Sequence, residues 1–397
     1  MHTQNTIKPY QPLTERTGPM DDTPPWPGPP GRSFHAVPPV RGGEDDLFAA
    51  LDLGTNNCRL MIAAQTAGGF RVVDSYSRMV RLGEGLHHTG FLNRDAMERT
   101  MEALHSCAER LGRRQVRNIR AVATEACRRA TNGQAFLRRA KEETGVEIDI
   151  ISGREEAWLA VESCANLLHD PRLGPPRSRA LLFDIGGGST EIAWVRTEPD
   201  RQTESLIGYL SLPVGVITLS EQFGPVRSLT DTTYREMVAY TRAFLRDFEE
   251  IHRIGPEIRR NQVRLIGTSG TVTTLASLIL NLSRYARAAV DGSLLPAASA
   301  RLAVRKLQQM GHRGIEQHPC IGSDRAPFVL PGCAIFEAIH DMWPVGDIVV
   351  ADRGLRDGMI LRMIRKAYAT PAIRRSVRHP ASYKRHVTQT SMQVTGS

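Results

Sequence analysis

Leu181-Leu182-Phe183-Asp184-Ile185-Gly186-Gly187-Gly188-Ser189-Thr190 is an apolar run that ends in aspartate and breaks into a glycine turn. Ile192-Ala193-Trp194-Val195 then resumes the apolar pattern. The same arrangement occurs earlier, where Phe48-Ala49-Ala50-Leu51-Asp52-Leu53-Gly54-Thr55-Asn56-Asn57 precedes Leu60-Met61-Ile62-Ala63. Each copy reads as strand, small-residue turn, strand. Hairpin turns alone account for the glycine and asparagine. They do not require aspartate at the same offset twice. An internal repeat of this kind predicts two similar lobes with matching hairpins facing each other.

Outward from the two copies, strand patterns alternate with amphipathic helical ones, which indicates α/β architecture. A length of 397 residues, 41% hydrophobic and 23% charged, fits two or three globular domains. The expected divisions are a proline-rich, unstructured leader over 1–44, a first lobe over 45–170, a second over 178–366 and a basic, unstructured tail over 367–397. The last helix is expected to pack back on the first lobe. No apolar run reaches the roughly 18 residues of a membrane helix. The N-terminus has no charged patch followed by an apolar stretch, so cytoplasm is the expected location. Six cysteines lie outside zinc or C-x-x-C spacing and read as buried free thiols. A net charge of +9 favours anionic partners. The basic tail is a candidate for nucleic acid or polyphosphate; a genome-wide arginine bias explains the surplus equally well.

The turns carry the chemistry. Glycine lets the backbone approach a ligand closely, and consecutive N–H groups form a nest for phosphate oxygens. Gly54, Thr55, Asn56 and Asn57 form one such loop, and Gly186, Gly187, Gly188, Ser189 and Thr190 the other, with the hydroxyls of Thr55, Ser189 and Thr190 as added donors. No lysine follows either turn and a strand follows both, which excludes Walker A and dinucleotide-binding loops. Asp52, Asp184 and Glu191 are the carboxylates at these turns. Such an oxygen set suits Mg²⁺, with Mn²⁺ or a monovalent cation such as K⁺ as further candidates. For Glu191, a surface residue opening a strand is an equal reading.

Val146–Ile151 alternates as a strand, and a helix is expected from near Gly153. Ser152 and Glu155 have capping-box spacing, which leaves Glu156 to face a cleft as a base. Arg128 follows the Ala121–Thr124 strand and is the candidate phosphate clamp. Gly267, Thr268, Ser269 and Gly270 end the Val263–Ile266 strand before a helical pattern near Val272, a third anion-binding turn for phosphate or nucleotide.

In order along the chain, D-L-G-T-N-N at 52–57, A-T-E-A-C-R-R-A-T-N at 123–132, I-S-G-R-E-E-A at 151–157, D-I-G-G-G-S-T-E at 184–191 and G-T-S-G-T at 267–271 resemble the exopolyphosphatase / guanosine pentaphosphate phosphatase family, within the actin–hexokinase–Hsp70 superfamily. The late segments Leu330–Gly332 and Ala351–Gly358 resemble it too. The resemblance implies two ribonuclease-H-like (actin-like) lobes with an interlobe site and a Mg²⁺-dependent phosphohydrolase. It implies Glu156 as catalytic glutamate, Arg128 as phosphate contact and Asp184 and Glu191 as site carboxylates. Inorganic polyphosphate is the expected substrate, with guanosine pentaphosphate as the alternative and a homodimer implied by the family alone. Asn57 departs from a common serine. The resemblance stops near Ile364, short of the helical domains that help longer members hold long polymers, so weak retention of long chains is expected. A non-hydrolysing sensor, a sugar kinase and a filament protein are the readings from other classes.

Overall fold

The computed structural model describes residues 46–198, 200–201, 203–224 and 229–369. The leader and most of the tail assigned from sequence lie outside these. Residues 367–369, read as tail, belong instead to the final helix, Leu355–Ala369.

Two sheets carry the fold. The first takes β1 (Leu47–Leu53), β2 (Asn57–Thr66), β3 (Gly69–Met79), β4 (Asn118–Ala123) and β5 (Asp149–Ile150) in the order β3-β2-β1-β4-β5. The second takes β6 (Arg179–Ile185), β7 (Thr190–Glu198), β8 (Thr203–Leu212), β9 (Val263–Thr268), β10 (Leu294–Pro296) and β11 (Asp347–Ala351) in the order β8-β7-β6-β9-β11-β10. Strand by strand the second repeats the first, antiparallel through its hairpins and parallel beyond them, with β10 as an added antiparallel edge. The likeness extends to irregularities. The β2–β3 register shifts after Ile62 and the β7–β8 register after Trp194, each ten residues past its aspartate. This is the duplicated, two-lobed actin-like fold.

Strand pleating decides where the aspartates point. Ala49, Leu51 and Leu53 face a core shared with the Arg94–Arg113 helix, while Phe48 and Ala50 face the other side. Period-two alternation therefore puts Asp52 on the Phe48 side. In β6, Leu181, Phe183 and Ile185 face the large second-lobe core, so Asp184 shares the opposite face with Ala180 and Leu182.

Those two faces are covered by helices exchanged between lobes. The Gly153–Leu168 helix closes the first lobe in sequence, yet Ala157, Ala160, Val161 and Cys164 pack on the second sheet. The 355–369 helix comes last, yet Leu355, Met359, Ile360 and Ile364 pack on the first. At their crossing a Cβ on Gly358 would lie 2.2 Å from the Leu159 carbonyl oxygen. The expected return of the last helix to the first lobe is seen, but a boundary at 170 leaves the 153–168 helix with the first sheet, because chain order does not encode its crossing to the second.

Two element assignments need correction. Of the expected Val146–Ile151 strand, only Asp149 and Ile150 pair, against Val122 and Ala123. Val146 and Ile148 are buried in the first core without ladder bonds. The helix after the third turn starts at Gly270. All six cysteines are buried and unpaired. No helix among the described residues is long and apolar enough to cross a membrane.

Candidate active site

The two hairpin turns are built alike: Gly54 N–H donates to the Asn57 carbonyl and Gly186 N–H to the Ser189 carbonyl, each at 2.9 Å. They meet across the molecule. A Cβ on Gly187 would stand 3.1 Å from Asn56 Cβ, and one on Gly188 only 2.5 Å from Thr55 Oγ1. Glycine is required here for close approach between loops. At their rim a cavity lined by Thr55, Gly83, His87, Glu125, Arg129 and Gly188 has a volume of about 10 Å³, room for roughly one water.

Asp52 lies close enough to Asp184 to perturb it. Burial, then the Asp52 charge, pushes Asp184 up to about 6. Asp52 is raised by burial, against the pull of Arg59 and Arg356. The hairpin registers explain part of this. Asp184 stands opposite Glu191, and Asp52 opposite Arg59, seven residues on in both repeats. One lobe thus holds a carboxylate where the other holds a guanidinium.

Glu191 is 2% exposed, which removes the surface reading. Its Oε1 accepts from Ser189 Oγ at 2.6 Å and Ser211 Oγ at 3.0 Å. Burial still raises it strongly. Ser189 therefore spends its hydroxyl on Glu191, and Thr190 Oγ1 donates to the Val214 carbonyl at 2.6 Å. Neither hydroxyl proton is left for phosphate, so the second loop offers backbone N–H groups.

Ser152 caps the 153–168 helix by accepting from Glu155 N–H. The Glu155 carboxylate turns to Arg120 and Arg362 instead of completing the box. Glu156 faces the cleft with 14% of its side chain exposed. Burial raises its pKa well above the usual range; Glu191, Asp52 and Asp184 add to this and Arg128 opposes it.

Arg128 donates from Nε and Nη2 to Glu125, from Nη1 to the Ile151 carbonyl at 2.7 Å and to Glu156 at 3.4 Å. Four of its five N–H groups are engaged, leaving one for a ligand. Glu125 was missed in the sequence reading, although its i, i+3 spacing before Arg128 was a signal. Arg59, Ser211 and Arg356 were missed as site residues as well. Overlaying the two repeats exposes Arg59; nothing local marks Ser211 or Arg356.

At the third turn, Ser269 adopts φ 108° and its buried Oγ has no partner among the described residues. Thr268 Oγ1 donates to the Arg353 carbonyl, which excludes it as a ligand donor. Register places Thr268 beside Asp184, so Gly267–Gly270 flanks the same cleft.

Among the described residues no three His, Cys, Asp or Glu side chains form a ready metal shell. Four mutually opposing carboxylates nonetheless form an all-oxygen set whose repulsion Arg59, Arg128 and Arg356 offset only in part, and the buried Asn56 Oδ1 has no partner among the described residues. Mg²⁺ needs only one or two carboxylates alongside water and phosphate, so the residues fit that ion.

The sequence profile of the Ppx/GppA phosphatase family matches residues 61–367. The chain belongs to that family. Among solved structures, an exopolyphosphatase-like protein shares 27% identity at TM-score 0.70, over 82% of this chain and 99% of its own. The Aquifex aeolicus Ppx/GppA family member shares 25% at TM-score 0.65, over 81% and 98%. An exopolyphosphatase from Cytophaga hutchinsonii has the same fold at 22% identity and TM-score 0.70, over 81% and 98%. Ppx/GppA proteins are phosphatases.

Proposed function

We propose that the protein is an exopolyphosphatase that releases terminal orthophosphate from inorganic polyphosphate. The observation that carries this reading is the meeting of two backbone loops, one per lobe, beside the buried carboxylate of Glu156. The likeness to an exopolyphosphatase-like protein at 27% identity supports the choice of polymer.

In this reading the loops part to admit the chain end. N–H groups at 54–57 and 186–190 then hold the terminal phosphoryl oxygens. Ser269 and the free N–H of Arg128 supply donors at the rim. Asp52 and Asp184, with Glu191 behind them, would hold Mg²⁺, which when bound neutralises phosphate charge. Glu156 accepts a proton from a water whose oxygen attacks the terminal phosphorus. The anhydride P–O bond breaks and its electron pair leaves with the shortened chain. A carboxylate raised by burial is a stronger base than an exposed one, which suits proton abstraction near neutral pH. Glu125 and the Ile151 carbonyl hold Arg128 against Glu156, so the base is oriented before substrate arrives.

The test is phosphate release from tripolyphosphate, long-chain polyphosphate and guanosine pentaphosphate at matched concentrations. The expected result is fastest release from polyphosphate. Faster release from guanosine pentaphosphate would transfer the assignment to that substrate, and binding without release from any would favour the sensor.

A further inference from the structure

A second cavity is lined by helices of the second lobe and shares no lining residue with the cavity at the rim of the loops. It measures about 890 Å³ and contains none of the loop, aspartate or glutamate residues described above. The Ala326–Met342 helix forms its floor, with Phe336 and Glu337. One bank is the Asp231–Ala243 helix and the segment after it, carrying Arg235, Arg242 and Arg246. The other is the Ala297–Glu316 helix, carrying Arg301 and Arg305.

Helical spacing makes this a lined trough. Arg301 and Arg305 are four residues apart and share a face. Arg235 and Arg242 are seven apart, again one face, separated by about 10 Å along the axis. Guanidinium groups therefore stand on both sides of a groove long enough for several phosphates. Part of this charge is already matched: Arg301 contacts Asp341 at 3.5 Å, and Glu337 accepts from Tyr234 Oη at 2.8 Å. The guanidinium groups of Arg242, Arg246 and Arg305 have no ion pair or hydrogen bond among the described residues.

We infer that this trough is a second anion site, which holds a stretch of the inorganic polyphosphate chain while its end is processed elsewhere. The inference rests on the exopolyphosphatase reading for the identity of the polymer. Charge complementarity argues for a phosphate-rich occupant, since the guanidinium fork matches phosphate oxygens. The aromatic side chains of the trough argue against a nucleotide or nucleic acid. Tyr234 and Phe336 are 4% and 3% exposed, so neither offers a face on which a base stacks. A bare chain of phosphates needs no such platform.

The test replaces Arg242, Arg246 and Arg305 by alanine together, in the full chain. A control removes Arg71, Arg94 and Arg138, three arginines that are exposed on the first lobe. The trough variant is expected to raise KM for long-chain polyphosphate about tenfold, an effect that high salt erases. Rates on tripolyphosphate, too short to reach both sites, stay unchanged in both variants. Direct titration of long-chain polyphosphate into Glu156→Gln protein, with and without the three trough substitutions, reads binding apart from turnover. Equal KM changes in trough and control variants, or no change in either, overturn the trough as a site. Capture of RNA or a guanosine nucleotide in preference to polyphosphate, abolished by the same substitutions, overturns the occupant. Lack of polyphosphate hydrolysis by the unaltered protein refutes the exopolyphosphatase reading, while the titration still decides the trough.

Discussion

Glu156 shows how a single residue sets function against stability. Its folded pKa lies above the ordinary 4.5, first through burial and then through neighbouring carboxylates. Folding thus favours its protonated form. The stability it contributes is fully present below about pH 4.5 and is lost as pH rises through the elevated folded value. Glu156→Gln keeps the site neutral at every pH. The variant is expected to melt higher than the parent at pH 8, by roughly 2–4 °C for each kcal/mol relieved. The two should converge near pH 4.5. Phosphate release should fall by about 10²- to 10⁴-fold, the usual contribution of a general base. Near-normal turnover would show that Glu156 is not the base, and an unchanged melting point at pH 8 that it is not a strained charge. At this scale the sequence was informative wherever chemistry repeats: aspartate at one offset in two hairpins pointed to Asp52 and Asp184. It was silent where a side chain is recruited from a distant element, as with Ser211 beside Glu191, and misleading for the Ser189 and Thr190 hydroxyls, whose local partners consume them.

Between elements, the decisive contact is the crossing of the 153–168 and 355–369 helices. Each covers the sheet belonging mainly to the other half of the chain. Hairpins and their pleated faces were legible because alternation is a local, period-two signal. Of the exchange, the return of the last helix to the first lobe was expected but the crossing of the 153–168 helix to the second sheet was not, since an amphipathic helix records that it has an apolar face without recording which sheet meets it. Two glycines separate propensity from packing. Alanine outranks glycine in a helix by about 1 kcal/mol. Gly112→Ala, in the 94–113 helix where an added Cβ meets nothing within 4 Å, is expected to gain up to about that much. Gly358→Ala should lose about 1–3 kcal/mol, because its Cβ runs into the Leu159 backbone and the helices must move apart. Urea midpoints at constant m distinguish the two. A stabilised Gly358→Ala protein would mean that the crossing is loose enough to shift without cost.

For the whole molecule, the lobes are joined through the exchanged helices at one side and tied at the cleft by polar contacts that include Arg128 with Glu156 and the Gly85 N–H, which donates to Glu221 Oε1 at 2.9 Å. Glu221 Oε2 is buried with no partner among the described residues. Not even a methyl group fits between Gly188 and Thr55, so a phosphoryl group bound between these two loops, as proposed above, requires them to separate. In the proposed reading the latched arrangement is the closed member of an open–closed pair, and apparent affinity is reduced by the fraction of molecules held in it. A hydrogen bond to a carboxylate is worth about 1.5–3 kcal/mol, enough to shift such an equilibrium tenfold or more. Glu221→Ala removes the bond and the orphaned oxygen together. It is expected to lower KM for tripolyphosphate by about 3- to 10-fold and to enlarge the radius of gyration measured by solution scattering without substrate. Glu221→Gln retains an oxygen that accepts from Gly85 and should restore most of the parent behaviour. A raised KM in the alanine variant, or a glutamine variant indistinguishable from it, would show that the contact does not hold the lobes shut.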